Sequence, residues 1–261
     1  MESISNEQIV SFWNAKPYPH LVIDNFWEAD EFEKLSNSNI NFFPERTFNT
    51  SIENNKQVFS AEDLPPKLKF TVDLLGSEWF VDNYLYPLTN ILPINPLLNF
   101  PNTIYRFHHQ MGRGGILGNH VDHSFLDQSP GQIHILNAIY YHHQRWDKSW
   151  GGYTTLNNKP IVEPKPNRLL IFLHTSKSFH GVGRLICPEN LKRKTIYMDY
   201  YCRVTDLWRL NQQSYKYNYT TNAWLEFWKH HTTFVPGWSW DSYKYWKNWI
   251  KYLLREPLIR G

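Results

Sequence analysis

Gly118-Asn119-His120-Val121-Asp122-His123 is the stretch whose reading decides this chain, and Ser178-Phe179-His180-Gly181-Val182 completes it. On a β-strand, residues i and i+2 point the same way, so His120 and Asp122 reach toward one point while Val121 faces the other side. One strand cannot wrap an ion. A third ligand must come from a separate strand, and His180 is the candidate. Arg193-Lys194-Thr195 follows and brings a guanidinium toward the same cavity.

Two imidazoles and one carboxylate on one face of a metal leave three octahedral positions open. The set suits Fe(II) and does not exclude Zn, Mn or Co. His-x-Asp alone carries little weight in a chain with 12 histidines, and a lone strand histidine is more often structural. The order carries the signal: His-x-Asp, a strand, a Gly-Gly turn, a second strand, His-Gly-Val, then a basic residue on a third strand.

Working outward, strands are expected at Thr103–His108, His134–His142, Tyr153–Leu156, Arg168–His174, Val182–Ile186 and Lys194–Arg203. Thr195, Tyr197, Asp199 and Tyr201 alternate with Ile196, Met198 and Tyr200, as in a strand between two environments. Gly151-Gly152 supplies the positive φ of a hairpin turn. Upstream, Tyr18–Phe26 reads as a strand and Glu28–Ser38 as a helix, and the Asn-rich 37–55 stretch reads as a loop. Pro65-Pro66 opens a second helix with Leu68, Val72, Leu75, Trp79 and Tyr86 at helical spacing. The fold expected is mainly β, a double-stranded β-helix (jelly-roll) with flanking N-terminal and C-terminal helices.

The block from Ile104 to about Val204 resembles the Fe(II)/2-oxoglutarate-dependent dioxygenases of the prolyl-4-hydroxylase-like branch. The likeness rests on His120-Val121-Asp122, Ile139-Tyr140-Tyr141, Trp146-Asp147, Gly151-Gly152, Glu163 to Phe172, His180-Gly181-Val182 and Arg193-Lys194-Thr195. The resemblance implies Fe(II) held by His120, Asp122 and His180, with 2-oxoglutarate and O2 as co-reactants. It implies Arg193 on the distal carboxylate of the oxoacid, Tyr141 and Thr195 adding hydroxyls, and Ile139 and Val182 as apolar walls. A guanidinium grips a carboxylate through two parallel hydrogen bonds and stays charged when buried. Lys192 and Lys194 compete with Arg193 for that role, since Arg193 lies farther past His180 than in close relatives; as a separate departure, His142-His143 replaces the usual Leu-Asn after the Tyr pair. The activity implied is hydroxylation of an unactivated C–H bond with decarboxylation of 2-oxoglutarate to succinate, on a prolyl residue, a peptide or a small metabolite. A Zn-dependent hydrolase and a non-catalytic metal-binding β-barrel module are the rival classes.

The chain has 261 residues, 41% of them hydrophobic, and is read as a dioxygenase domain over 1–205 (core about 103–204) with a Trp-rich helical extension over 206–261. A net charge of +3 without a Lys/Arg run gives no sign of a nucleic-acid partner. Cys187 and Cys202 form no disulfide framework, and the chain shows neither a leader nor a long apolar run, so a cytoplasmic protein without a membrane span is expected. Asn222–His230 and Asp241–Leu254 read as helices, the second with Trp246, Trp249, Ile250 and Leu253 in an apolar stripe. Packing on the back of the sheet is the plain reading of that stripe, and a homodimer contact or a lid are its alternatives. The adjacent pairs His108-His109 and His142-His143 are read as structural, with one member of each facing outward.

Overall fold

In the computed structural model, which describes residues 2–38, 43–60, 64–93, 108–122, 132–175 and 177–218, ten strands form one antiparallel sheet. They are β1 (His20–Asp24), β2 (Arg46–Phe48), β3 (Glu53–Phe59), β4 (His108–His120), β5 (Gln132–Tyr141), β6 (Thr154–Leu156), β7 (Lys159–Val162), β8 (Arg168–Leu173), β9 (His180–Val182) and β10 (Arg193–Arg203). The order is β1-β8-β5-β10-β4-β9-β6-β7, with β3 pairing with β2 and β4.

β4 makes the sheet a jelly roll. Its first half pairs with β10, Met111 opposite Arg193, and its second half pairs with β9, His120 opposite His180. The chain thus passes from one wall, β8-β5-β10-β4, into the other, β4-β9-β6-β7, without leaving the strand. Gly114, at φ +79, sits at that crossing, a backbone state that residues with a Cβ rarely adopt.

Side chains of the first wall sort by alternation. Ile135, Ala138, Tyr140, Ile171, Ile196, Met198 and Tyr200 face outward, in one apolar cluster with Phe12, Trp13, Leu68, Val72, Leu75 and Phe80 from the helices. Those helices are α1 (Asn6–Asn14), α2 (Ala29–Ser36), α3 (Pro66–Leu75) and α4, made of Glu78–Phe80, a π-helical turn at Val81–Leu85 and Tyr86–Thr89. Tyr200 reaches through the cluster and donates to the Leu75 carbonyl at 2.8 Å, tying β10 to α3. A smaller cluster of Tyr18, Tyr141, Leu156, Val162, Leu170 and Phe172 lies on the inner face.

Several sequence expectations shift. Residues 110–117, read from the sequence as a loop, form the body of β4, while 103–107 of the strand expected at Thr103–His108 lie outside the described residues. The strand expected at Val182–Ile186 is centred earlier, on His180–Val182. The Asn-rich stretch contains the β2–β3 hairpin, where Asn55 takes a positive φ of 48 that asparagine tolerates. Gly151 (φ +71) and Gly152 (φ +70) have the expected backbone, but they turn no hairpin: β6 pairs with β7 and β9, so the glycines carry the chain between walls.

The helix opened by Pro66 ends at Leu75, and Ser77 caps a new one by accepting from Phe80 N at 3.1 Å; Trp79 and Tyr86 therefore leave the apolar stripe and are exposed. Two helices were not anticipated: α1, signalled by the Ser5/Gln8 capping box, and α5 (Leu207–Lys216). The helices expected at Asn222–His230 and Asp241–Leu254 lie outside the described residues. Among the described residues no helix is long and apolar enough to cross a membrane.

Candidate metal and oxoacid site

His120 ends β4 and His180 begins β9, and the two are register partners with ring centroids 4.5 Å apart. A bulge puts them there. Between the pairs Leu117/Val182 and His120/His180, β9 contributes one residue, Gly181, and β4 contributes two. A Cβ on Gly181 would stand 2.5 Å from the Leu117 carbonyl oxygen, so only glycine allows this approach. Asp122 lies just past the end of β4, and its Oδ1 and Oδ2 sit 3.2 Å and 3.3 Å from Nε2 of His120 and His180. The three ligand atoms lie within 4.8 Å of one another.

The tautomers sharpen the geometry. His120 Nδ1 donates to the Gly118 carbonyl at 2.8 Å and His180 Nδ1 to the Ser178 carbonyl at 3.1 Å. In the neutral ring, each Nε2 is then a lone pair pointing at carboxylate oxygens. Acceptors converging in this way are favourable only around a proton or a cation, and the second-nitrogen bond is how metal-binding histidines are oriented. Burial resists charging His120, but the hydrogen bond and charge of Asp122 outweigh it and raise its pKa. Burial likewise opposes the Asp122 carboxylate, yet His180 and His120 hold it well below the usual carboxylate range. Asn137 Nδ2 supports Asp122 Oδ2 at 3.0 Å, and His174 Nε2 donates to the Asp122 carbonyl at 3.1 Å.

Arg193, only 3% exposed, points inward from β10 at the crossing of the walls. Its Nε donates to the Gly152 carbonyl at 2.9 Å and its Nη2 to Thr154 Oγ1 at 2.9 Å, while its guanidinium lies 5.0 Å over the Tyr141 ring. Tyr141 Oη and Thr154 Oγ1 are 2.5 Å apart. Burial lowers the Arg193 pKa, Tyr141 partly offsets this, and no carboxylate pairs with the guanidinium among the described residues. A guanidinium does not neutralise itself by losing a proton, so an anion belongs there. Lys192 is tied to Gln57 Oε1 at 2.7 Å, and Lys194 lies on the opposite alternation, beside the buried His108 and His142.

Thr195 is buried and paired across the sheet with Tyr141 and His109, Ile139 packs against the Tyr18–Tyr141–Phe172 cluster, and Val182 packs with Met111 and Leu185. The residues singled out from sequence therefore fall into two groups on the interior, the triad and the Arg193 end. Thr154, Asn137, Asp199 and His174 were not assigned roles. Asn137 was findable, because it shares the alternation of Ile139 and Tyr141, and Asp199 shares that of Thr195. Thr154 carried no signal, since only cross-sheet pairing brings it to Arg193. His142-His143 lies past the end of β5, so the strand alternation that would turn one member outward does not apply to it. Both are buried, His142 against His108 (Nε2 to Nε2, 2.8 Å) and His143 on the Pro164 carbonyl.

Two histidines and one carboxylate converging between β4 and β9 form the donor set of non-heme Fe(II) oxygenases. Residues 105–201, the segment that spans most of the interior strands, match the family model described as the 2OG-Fe(II) oxygenase superfamily. The superfamily's co-reactants are Fe(II), 2-oxoglutarate and O2. No curated protein matches the chain.

Among solved structures it is similar to a prolyl hydroxylase in complex with a hypoxia inducible factor oxygen degradation domain peptide fragment from Trichoplax adhaerens (16% identity, 77% of this chain and 90% of that one, TM-score 0.46). It is also similar to a Pseudomonas putida prolyl-4-hydroxylase (14%, 76% and 97%, 0.45). A third is HygX from Streptomyces hygroscopicus with nickel and 2-oxoglutarate bound (12%, 77% and 88%, 0.46).

Proposed function

We propose that this chain hydroxylates an unactivated C–H bond of a small metabolite or a peptide, a prolyl residue being one case, with decarboxylation of 2-oxoglutarate to succinate. The observation that carries the reading is the convergence of His120 Nε2, His180 Nε2 and Asp122 on one point with tautomers set for a cation. In this reading those three residues hold Fe(II). Arg193, braced by Gly152, Thr154 and Tyr141, takes the distal carboxylate of the oxoacid, and Thr195 completes the polar end of the slot between Ile139 and Val182. When bound, Fe(II) with 2-oxoglutarate and O2 supplies the oxidant that turns C–H into C–OH, the oxoacid leaving as succinate and carbon dioxide. The protein's share is orientation and a dry interior, to which Leu170, Phe172 and Tyr141 contribute apolar surface.

The unit responsible is read as 1–205, with 206–261 as an extension. Both cysteines are free, which suits a reducing cytoplasm. The test is His180→Ala. Purified protein is expected to lose stoichiometric Fe(II) binding and 2-oxoglutarate-dependent succinate release together. Unchanged iron content and turnover would remove His180 from the ligand set and sink the reading.

A further inference from the structure

We propose that Asp199 selects the substrate, by receiving a protonated amine, or a comparable cationic hydrogen-bond donor of the substrate, on its unoccupied carboxylate oxygen. The inference rests on the metal-and-oxoacid reading above and names the substrate class for that site.

Asp199 lies on the interior alternation of β10, in one row with Arg193, Thr195 and Tyr197. Arg193 is roughly 20 Å away along extended backbone, so the two charges serve opposite ends of the cavity. Asp199 is instead the neighbour of Asp122. Asn137 Nδ2 donates to Asp199 Oδ1 at 2.7 Å and to Asp122 Oδ2 at 3.0 Å, one amide hydrogen for each carboxylate. The reverse orientation of the amide would put Oδ1 against two acceptors, so the clamp has only one sensible direction.

The second oxygen of Asp199 has no hydrogen-bond partner among the described residues, and the side chain keeps 13% of its exposure, so this oxygen is not sealed away. Among the described residues the basic group beside it is His134, whose Nε2 is 3.7 Å from Oδ1 and bonds the Leu136 carbonyl at 3.0 Å. The mouth beside it is open, since His120 and Asp122 are 37% and 26% exposed.

The charges then decide the substrate class. Two positive charges on a ferrous ion and one on Arg193 are matched by one negative charge on Asp122 and two on the oxoacid. Asp199 is left over. A largely buried carboxylate without a cation is costly to keep: burial, with the neighbouring Asp122 charge, pushes the Asp199 pKa well above the usual carboxylate range, so its charged form calls for a cationic partner. A cationic donor supplies the missing partner, whereas a neutral substrate leaves it missing and an anionic one repels it.

The test uses the full chain loaded with Mn(II) and 2-oxoglutarate and reads the paramagnetic relaxation of three isosteric probes: n-butylammonium, n-butanol and n-butyrate. Mn(II) occupancy is followed separately from the signal of the free ion. Enhancement is expected to be roughly tenfold larger for butylammonium than for butanol, the worth of one charge-assisted hydrogen bond, and smallest for butyrate. In Asp199→Asn the ammonium and the alcohol are expected to become alike. Equal enhancement in the wild type overturns the inference, as does an amine preference that survives Asp199→Asn. Should that variant fail to fold, Asp199→Ser repeats the comparison, and the wild-type ratio decides without either. Wild-type protein that binds no Mn(II) would remove the metal reading and this inference with it. Bound Mn(II) without amine preference removes only the inference.

Discussion

Arg193 shows how much a single side chain is asked to do. It is buried, its burial opposes its own charge, and three neighbours (Gly152, Thr154 and Tyr141) hold its fork in place without neutralising it. Removing one partner of a buried ionic pair costs about 3–5 kcal/mol, which corresponds to roughly two to nearly four orders of magnitude in binding. Arg193→Ala is therefore expected to raise the 2-oxoglutarate concentration needed for half-saturation of succinate release by about a hundredfold or more. Arg193→Lys should recover only part of this, because a point charge cannot make the paired hydrogen bonds. An unchanged half-saturation in Arg193→Ala would transfer the role to another cation, despite the outward placement of Lys192 and Lys194. Sequence alternation favours Arg193 over Lys194 only if Thr195 faces inward; in the structure Thr195 is buried and Arg193 lies buried over Tyr141.

At the scale of elements, the β4–β9 bulge governs the geometry of the candidate metal site. His120 and His180 face each other only because two residues of β4 are accommodated against Gly181. An alanine there would place its Cβ 2.5 Å from Leu117 O and 3.1 Å from Gly118 O, both backbone atoms that cannot swing aside. Gly181→Ala is expected to force the strands apart, at an overpacking cost of about 1–3 kcal/mol. Because both imidazoles sit at that joint, Fe(II) affinity should fall by roughly 10–100-fold, the scale seen when support around metal ligands is lost. Titration with Fe(II) under anaerobic conditions, alongside a thermal melt, separates the two effects. Full affinity together with full stability would mean that the bulge does not position the ligands. His-Gly-Val was legible as a motif, but the reason for its glycine was not, because the clash is with a strand distant in sequence.

For the whole molecule, the buried histidines of the first wall and its margin set the response to acid. Burial, reinforced by Lys194 and Lys192, lowers the His108 pKa to about 3. Burial lowers His143 to about 4 despite its bond to the Pro164 carbonyl, and holds His142, which faces His108, well below its ordinary value. Unfolded, each would take a proton near pH 6.5, roughly. Above that the folded and unfolded chains carry the same protons here. Below it the unfolded state binds more, so stability is lost as pH falls from about 6.5 toward 4, by about 1.4 kcal/mol per pH unit for each such histidine. Urea unfolding at a series of pH values is expected to show the midpoint dropping steeply across that window. A flat midpoint between pH 7 and 5 would mean these imidazoles are not held neutral by the fold.

By itself the sequence determined the alternation of β10, the His-x-Asp and His-Gly-Val donors, and the order of strands that makes a jelly roll. Each of these is a local property, in which the two-residue period of a strand dictates which side chains share a face. The sequence also carried the Gly-Gly backbone and the capping box of α1, again because φ preferences and caps act within a few residues. Only the tertiary structure decided that 110–117 is strand rather than loop, that Thr154 braces Arg193, and that Asn137 clamps Asp122 to Asp199. Those facts depend on pairing between segments far apart in the chain, where the hydrogen-bonding partner, and not the residue's own propensity, fixes what each side chain meets.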